Sequence, residues 1–149
     1  MSYTQLIYHI VIRTKRSQPT IVNEHSEKLY SYIHGFVKNK KSTLYRINGM
    51  PDHIHILVGL HSSLSLSDFV RTLKTTTNFW IKQSGMFPNF QSWGEKYGAF
   101  TLRYQEKNRV IAYIKNQREH HKQEDFVSEY RRLIVDNGIK IDERYFLDD

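Results

Sequence analysis

The chain has 149 residues, a formal net charge of +7 at pH 7 and a sequence pI near 9.6. It contains no cysteine, which excludes disulfide bonds, thiolate zinc sites and a cysteine nucleophile. No apolar stretch approaches the ~20 residues of a membrane-spanning helix, and the first residues do not resemble a signal peptide, so we expect a cytoplasmic protein. The excess of positive charge favours an anionic partner such as nucleic acid.

The first part of the chain is predicted to form a strand, a helix and then two further strands. Apolar residues on both faces predict a covered strand over 3–13. Asn23 is a candidate N-cap for a helix that runs to about residue 40, and a short strand follows over 43–47. An Asn-Gly pair and a proline within 48–51 predict a turn, and residues 53–60 form the second clear strand.

Helical periodicity dominates the second part of the chain. Ser67 is a candidate cap for a helix that ends at Gly85. A loop follows, then a strand over 99–104 and helices over about 107–122 and 125–137. The tail beyond these helices is expected to pack as an extended segment or to fray.

This order of elements predicts an α+β protein. The short Asn-Gly connection makes the middle strands antiparallel, because parallel strands need a longer crossover. We therefore expect a ferredoxin-like antiparallel sheet flanked by helices. The sequence contains no repeat and no Pro/Gly-rich linker, so residues 1–149 are expected to form a single domain.

Two histidines on the second clear strand are the sharpest local signal. His53 and His55 are two residues apart, so they project from the same face, with Cα atoms about 6.6 Å apart at ~3.3 Å per residue. Two such imidazoles can hold one divalent metal ion, or they can be ordinary polar residues on a half-exposed strand. Asp52 either orients an imidazole by a hydrogen bond or is only a turn residue.

A tyrosine helix is the second signal. Tyr113 and Gln117 are four residues apart and therefore neighbours beside the apolar stripe, with His120 and His121 close behind. A phenol beside a metal ion that polarises a phosphate could attack it and form a covalent phosphotyrosine. The alternative is that Tyr113 is an amphipathic packing residue with a solvated hydroxyl.

Together the two segments resemble a known family. HIH at 53–55 matches the His-hydrophobic-His (HUH) motif, and YIKNQ at 113–117 matches a Tyr-x-x-x-Gln nucleophile helix. With YHIVIRTKR and WGEKYGAFTL in the same order, they resemble the single-tyrosine HUH transposases of small bacterial insertion sequences, of the transposase A type. The REP-associated tyrosine transposases are similar to a lesser degree.

The resemblance implies a DNA transposase with the HUH motif on a central strand and the catalytic tyrosine on a helix in the C-terminal half. Such enzymes cleave and rejoin single-stranded DNA at hairpin-bearing ends through a 5′-phosphotyrosine. Tyr113 would be the nucleophile, and His53, His55 and Gln117 would hold Mg²⁺ or Mn²⁺. Imidazoles alone lean towards Mn²⁺ or Zn²⁺. A homodimer with composite active sites is also implied.

Basic residues near three elements are candidate phosphate contacts, although a residue of this kind is more often a solvated charge than a contact. They are Lys15, Arg16, Arg71, Lys74, Lys82, Arg103 and Lys107. Three other functions stay open: a catalytically inactive or domesticated DNA-hairpin binding module, a replication-initiator-type nickase, and a metallohydrolase in which Tyr113 only packs.

Overall fold

The computed structural model describes residues 2–149 and contains one antiparallel sheet. Its strands are β1 (Ile7–Thr14), β2 (Thr43–Met50), β3 (His53–Gly59) and β4 (Trp93–Thr101). They lie in the order β2-β3-β1-β4, so β3, which carries both histidines, has a neighbour on each side. The predicted α+β class, an antiparallel sheet flanked by helices, is confirmed.

Two helices, α1 (Ser26–Asn39) and α2 (Leu66–Ser84), cover one face of the sheet. Apolar residues recur along both helices at intervals of three or four, which gives each helix one buried face. Alternate residues of β1 and β3 pack against the buried faces of these two helices. Members of this core include Ile10, Ile12, Leu29, Ile33, Ile54, Ile56, Phe69 and Leu73.

The opposite face of the sheet carries the polar residues and is covered by the C-terminal part of the chain. The helices there are α3 (Lys107–Lys115), α4 (Gln117–His120) and α5 (Phe126–Asp136). The antiparallel register pairs Val11 with His55 and Arg13 with His53, so these side chains share this face. The sheet therefore presents its histidines to three helices instead of to solvent.

The predicted turn lies two residues later than expected. β2 continues through Asn48 and Gly49 to Met50, and the turn is made by Pro51 and Asp52. The Asn48 side chain donates to the carbonyls of Ile114 and Lys115, so it anchors the end of α3 instead of making a hairpin turn.

Other predicted boundaries also move. Asn23 begins a short 3-10 turn ahead of α1 and makes no side-chain cap. Ser65, not Ser67, caps α2 by accepting from the Asp68 N–H at 3.1 Å, whereas the end at Gly85, with φ of 71°, is confirmed. β4 begins at Trp93, well before residue 99, because it pairs along most of β1.

The long helix predicted over 107–122 is divided at Asn116 into α3 and α4. The predicted last helix agrees with α5, which Asp125 caps by accepting from the Ser128 N–H. The tail packs, and its Asp149 pairs with buried Arg13 at 2.7 Å. Within residues 2–149, none of the helices combines the length and apolarity needed to cross a membrane.

Candidate active site

His53 and His55 lie fully buried on β3, which departs from the half-exposed strand considered above. The Nδ1–H of His53 donates to Oδ1 of Asp52 at 2.7 Å, so the His53 Nε2 atom points under the helices. Asp52 is thus both a turn residue and a partner of the imidazole. A carboxylate that holds the distal N–H is the usual support of a metal-binding histidine.

His9 on β1 holds the second histidine. Its Nε2 lies 2.8 Å from Nδ1 of His55, which leaves the His55 Nε2 atom free to face the same space as that of His53. Burial lowers the pKa of His9 to about 3 and that of His55 to about 4. Both imidazoles are therefore neutral at pH 7, and a neutral His55 that carries its proton on Nδ1 has a lone pair on Nε2 for coordination.

The break at Asn116 lets α4 turn its first residue inward. Gln117 is fully buried, and its Oε1 lies 3.3 Å from Nε2 of His53. Nε2 of His121 lies 3.1 Å from the same oxygen. The structure thus brings Gln117 to the histidine pair, together with His121, to which the sequence assigned no role.

Glu129 of α5 occupies the centre of this group and is fully buried. Its Oε1 lies within 3.4 Å of Nε2 in each of His53, His55 and His121. Burial would raise the pKa of Glu129, but hydrogen bonds from the three imidazoles outweigh it and hold the pKa well below its usual range. Burial also disfavours the charge on His53, yet bonds to Asp52 and Glu129 raise its pKa.

Tyr113 reaches the same carboxylate from α3. Its hydroxyl donates to Oε2 of Glu129 and accepts from Nη2 of Arg132 at 3.0 Å. Burial and then the hydrogen bond to Glu129 raise the pKa of Tyr113, and Arg132 opposes them. The phenol is therefore protonated in this state, held between an anion and a cation.

A cavity of about 350 Å³ leads from the surface to the Tyr113 ring. Its apolar wall includes Phe100 and Leu133, and Arg109 and Arg132 border it. His120, adjacent to Tyr113, bonds to Glu124 at 2.6 Å and stands apart from the histidine pair. Glu106 and Asp136 also line the cavity, so it carries charges of both signs where it approaches the phenol.

The donor set fits a divalent metal ion. One ligand atom from each of His53, His55, His121 and Glu129 lies within 4.8 Å of the others. Imidazole, carboxylate and carboxamide donors suit Mn²⁺ and other first-row ions better than Mg²⁺, which prefers an all-oxygen environment.

The predicted phosphate contacts are spread over the surface, and their role stays a prediction. Arg71, Lys74 and Lys82 lie on α2, across the sheet from the histidines, where Arg71 pairs with Asp68 and the Lys74 ammonium donates to three carbonyls of β4. Lys15 and Arg16 follow β1, exposed Arg103 follows β4, and Lys107 begins α3, with its ammonium over the rings of Tyr45 and Tyr104.

Three residues of this site were absent from the sequence prediction: His9, Glu129 and Arg132. His9 was detectable, because strand alternation puts it on the face of Val11. Glu129 and Arg132 are an ordinary i, i+3 pair on an amphipathic helix and carry no local signal.

Residues 2–117 match the family model described as "Transposase IS200 like", a segment that includes the histidine pair, Tyr113 and Gln117 and ends before Glu129. No curated protein is significantly similar in sequence. A protein from Deinococcus radiodurans R1 assigned as a transposase is 24% identical, with a TM-score of 0.60 over 78% of this chain and 93% of that one. A REP-associated tyrosine transposase bound to a REP hairpin is 14% identical, with a TM-score of 0.62 over 95% of this chain and 86% of that one.

These two similarities concern the fold, whereas the family match covers most of the sequence. By that match the chain belongs to the IS200-like transposase family.

Proposed function

We propose that this protein cleaves and rejoins single-stranded DNA at hairpin-bearing ends of a mobile element, with Tyr113 as the nucleophile. A divalent ion, Mg²⁺ or Mn²⁺, would be held by His53, His55 and Gln117. One observation carries the proposal: the Tyr113 hydroxyl and the Nε2 atoms of both histidines contact the same buried carboxylate. The nucleophile and two of the candidate metal ligands are thus separated only by the carboxylate of Glu129, which all three contact.

The chemistry is a transesterification. The Tyr113 hydroxyl gives up its proton as its oxygen attacks phosphorus, the bond from phosphorus to the 3′ oxygen breaks, and that 3′ oxygen takes up a proton and leaves as a hydroxyl. The 5′ end stays attached as a phosphotyrosine, and attack by another 3′-hydroxyl reverses the step and joins two strands. When bound, the metal ion would polarise the phosphate and stabilise the charge that develops on it.

The chain's own residues prepare the phenol for this step. Oε2 of Glu129 accepts a hydrogen bond from the Tyr113 hydroxyl, which points the oxygen lone pairs away from the carboxylate. Arg132 supplies a positive charge at the same oxygen, where it would stabilise a phenolate and attract the phosphate. The cavity bordered by Arg109 and Arg132 would receive the strand.

Hairpin DNA is the substrate that we infer. The net charge of +7 supports binding to a phosphate backbone, and a REP hairpin is bound by the similar REP-associated tyrosine transposase. The seven basic residues predicted above are candidate contacts along its path. Recognition would depend mostly on backbone and shape, with unpaired bases stacked on aromatic rings.

The experiment is a covalent trapping assay. The protein is incubated with labelled single-stranded hairpin DNA and Mn²⁺ and run on a denaturing gel. We expect an adduct with the wild type and with Tyr104→Phe, which alters an exposed tyrosine just before α3. Tyr113→Phe should bind DNA but form no adduct, and His53→Ala should lose both metal binding and cleavage.

Each failure has its own meaning. DNA binding by the wild type without any adduct would replace the proposal with an inactive hairpin-binding module. Strand cleavage that survives in Tyr113→Phe would remove the nucleophile assignment and favour a metallohydrolase. Cleavage without rejoining of two hairpin-bearing ends would favour a nickase.

A further inference from the structure

The position of Glu129 is not accounted for by a site made of two histidines and a glutamine. Its carboxylate is fully buried at the centre of the group, and both of its oxygens are engaged. A buried carboxylate is costly unless positive charge compensates for it. Three imidazole nitrogens, the Nε2 atoms of His53, His55 and His121, lie within 3.4 Å of the Oε1 atom of Glu129.

The hydrogen-bonding pattern leaves a lone pair facing the carboxylate. In its neutral form His53 gives its single N–H to Asp52, so its Nε2 has no proton to donate to Glu129. Nε2 of His53 and Oε1 of Glu129 nevertheless lie 3.4 Å apart. The two electron-rich atoms repel one another unless a positive centre lies between them: a proton on Nε2 in the absence of metal, or a metal ion that takes its place.

The distances are those between ligands of one metal ion. Donor atoms about 2.1 Å from a common ion, at tetrahedral or octahedral angles, lie roughly 3.0–3.4 Å from each other. Oε1 of Glu129 lies 3.2 Å from Nε2 of His55 and 3.0 Å from Nε2 of His121. Oε1 of Gln117 lies 3.3 Å from Nε2 of His53. These separations fall within that range, whereas the whole group of donors from His53, His55, His121 and Glu129 spans up to 4.8 Å and would draw together around an ion.

We propose that Glu129 is a ligand of the catalytic metal ion, adding a carboxylate from α5 to His53 and His55 of β3. This inference rests on the metal-dependent function proposed above and adds an anionic ligand to it. Oε1 of Glu129 would bind the ion, while Oε2 keeps its contacts with the Tyr113 hydroxyl and with Nε2 of Gln117 at 2.9 Å. The same carboxylate thereby orients Gln117 and ties the nucleophile to the metal ion.

The donor set also sets a preference among ions. Two or three imidazoles with one carboxylate bind Mn²⁺ more strongly than Mg²⁺. We therefore expect the full-length protein to bind Mn²⁺ more tightly than Mg²⁺ in the absence of DNA.

The test is a calorimetric titration of the purified full chain with Mn²⁺ alone. We expect Glu129→Gln, which keeps the shape and removes the charge, to lower the Mn²⁺ affinity at least tenfold, roughly the scale of losing a residue that supports a metal site. The matched control is Glu119→Gln on α4, whose exposed carboxylate pairs with Lys122, and it should bind Mn²⁺ like the wild type. If Glu129→Gln does not fold, Glu129→Asp is titrated in its place. It withdraws the carboxylate by one methylene, and we expect it to lower the Mn²⁺ affinity by the same factor.

The outcomes separate this inference from the proposed function. Unchanged Mn²⁺ affinity in a folded Glu129→Gln protein overturns the role of Glu129, even if the wild type forms the DNA adduct. A wild type that binds Mn²⁺ and loses it in Glu129→Gln, yet forms no adduct, supports the ligand assignment and overturns the transesterification. A wild type that binds no Mn²⁺ overturns both.

Discussion

The chemistry of the site depends on which nitrogen each imidazole turns towards the centre. Asp52 determines this for His53, and His9 determines it for His55. In both cases Nδ1 is engaged within the sheet and its turn, so Nε2 faces the helices. A fixed orientation of this kind reduces the entropy lost when a metal ion binds.

Removing the support of His53 should weaken the metal site without removing a ligand. We expect Asp52→Ala to lower the Mn²⁺ affinity by about 10–100-fold, because the ring is then free to turn and is less basic. Calorimetry with Mn²⁺ measures the change. Glu24→Ala is the matched control, since Glu24 pairs with His25 on the surface, and equal losses in the two variants would contradict a specific role for Asp52.

At the scale of elements, the hairpin of β2 and β3 positions His53 and His55 under the C-terminal helices. The Asn48-Gly49 pair lies within β2, and Gly49 is opposite Ile54. A Cβ atom on Gly49 would lie 2.2 Å from the carbonyl oxygen of His53 and 2.8 Å from Cα of Ile54. The strands can approach this closely only because residue 49 has no side chain.

Gly49→Ala should therefore be strongly destabilising. We expect a loss of roughly 2–4 kcal/mol in the free energy of unfolding, because the clash is with backbone and has no flexible partner to move. Urea denaturation provides the measurement. Gly35→Ala is the control: a Cβ there meets nothing within 4 Å, so this change in α1 should stabilise the protein by up to about 1 kcal/mol. Equal stability of the two variants would show that the hairpin relaxes at no cost.

At the scale of the whole molecule, the site is assembled within one chain. Helices α3, α4 and α5 bring Tyr113, Gln117 and Glu129 onto the sheet face of their own chain. The resemblance implied a homodimer whose sites combine histidines of one copy with the tyrosine helix of the other. Such an exchange would have to remove α3 from its contacts with β2 and β3.

Mixing two inactive variants distinguishes these arrangements. We expect an equimolar mixture of Tyr113→Phe and His53→Ala to form no DNA adduct in the trapping assay, because neither chain has a complete site of its own. Adduct formation on the His53→Ala chain, which keeps Tyr113, would instead require histidines from the other copy and would support composite sites. The wild type diluted with either variant serves as the positive control.

Local periodicity was sufficient to predict the residues that lie close in sequence. The two-residue period of a strand put His53 beside His55, and the helical period put Tyr113 beside Gln117, with only a break at Asn116 that local pattern did not reveal. The antiparallel class followed from the short connection between β2 and β3. Of the residues predicted to form its turn, Pro51 does so, but Asn48 and Gly49 lie within β2, since turn propensity cannot detect that both are needed by neighbouring elements.

By itself the sequence determined the α+β class, the family and the residues of the two motifs, because these depend on composition and on spacing along the chain. Only the tertiary structure decided that β3 is buried on both faces, that Glu129 and Arg132 of α5 meet Tyr113, and that His9 supports His55. The physical reason is that burial and hydrogen bonding join residues distant in sequence. Their partners are set by how β1, β3 and α5 pack, and no local pattern records that packing.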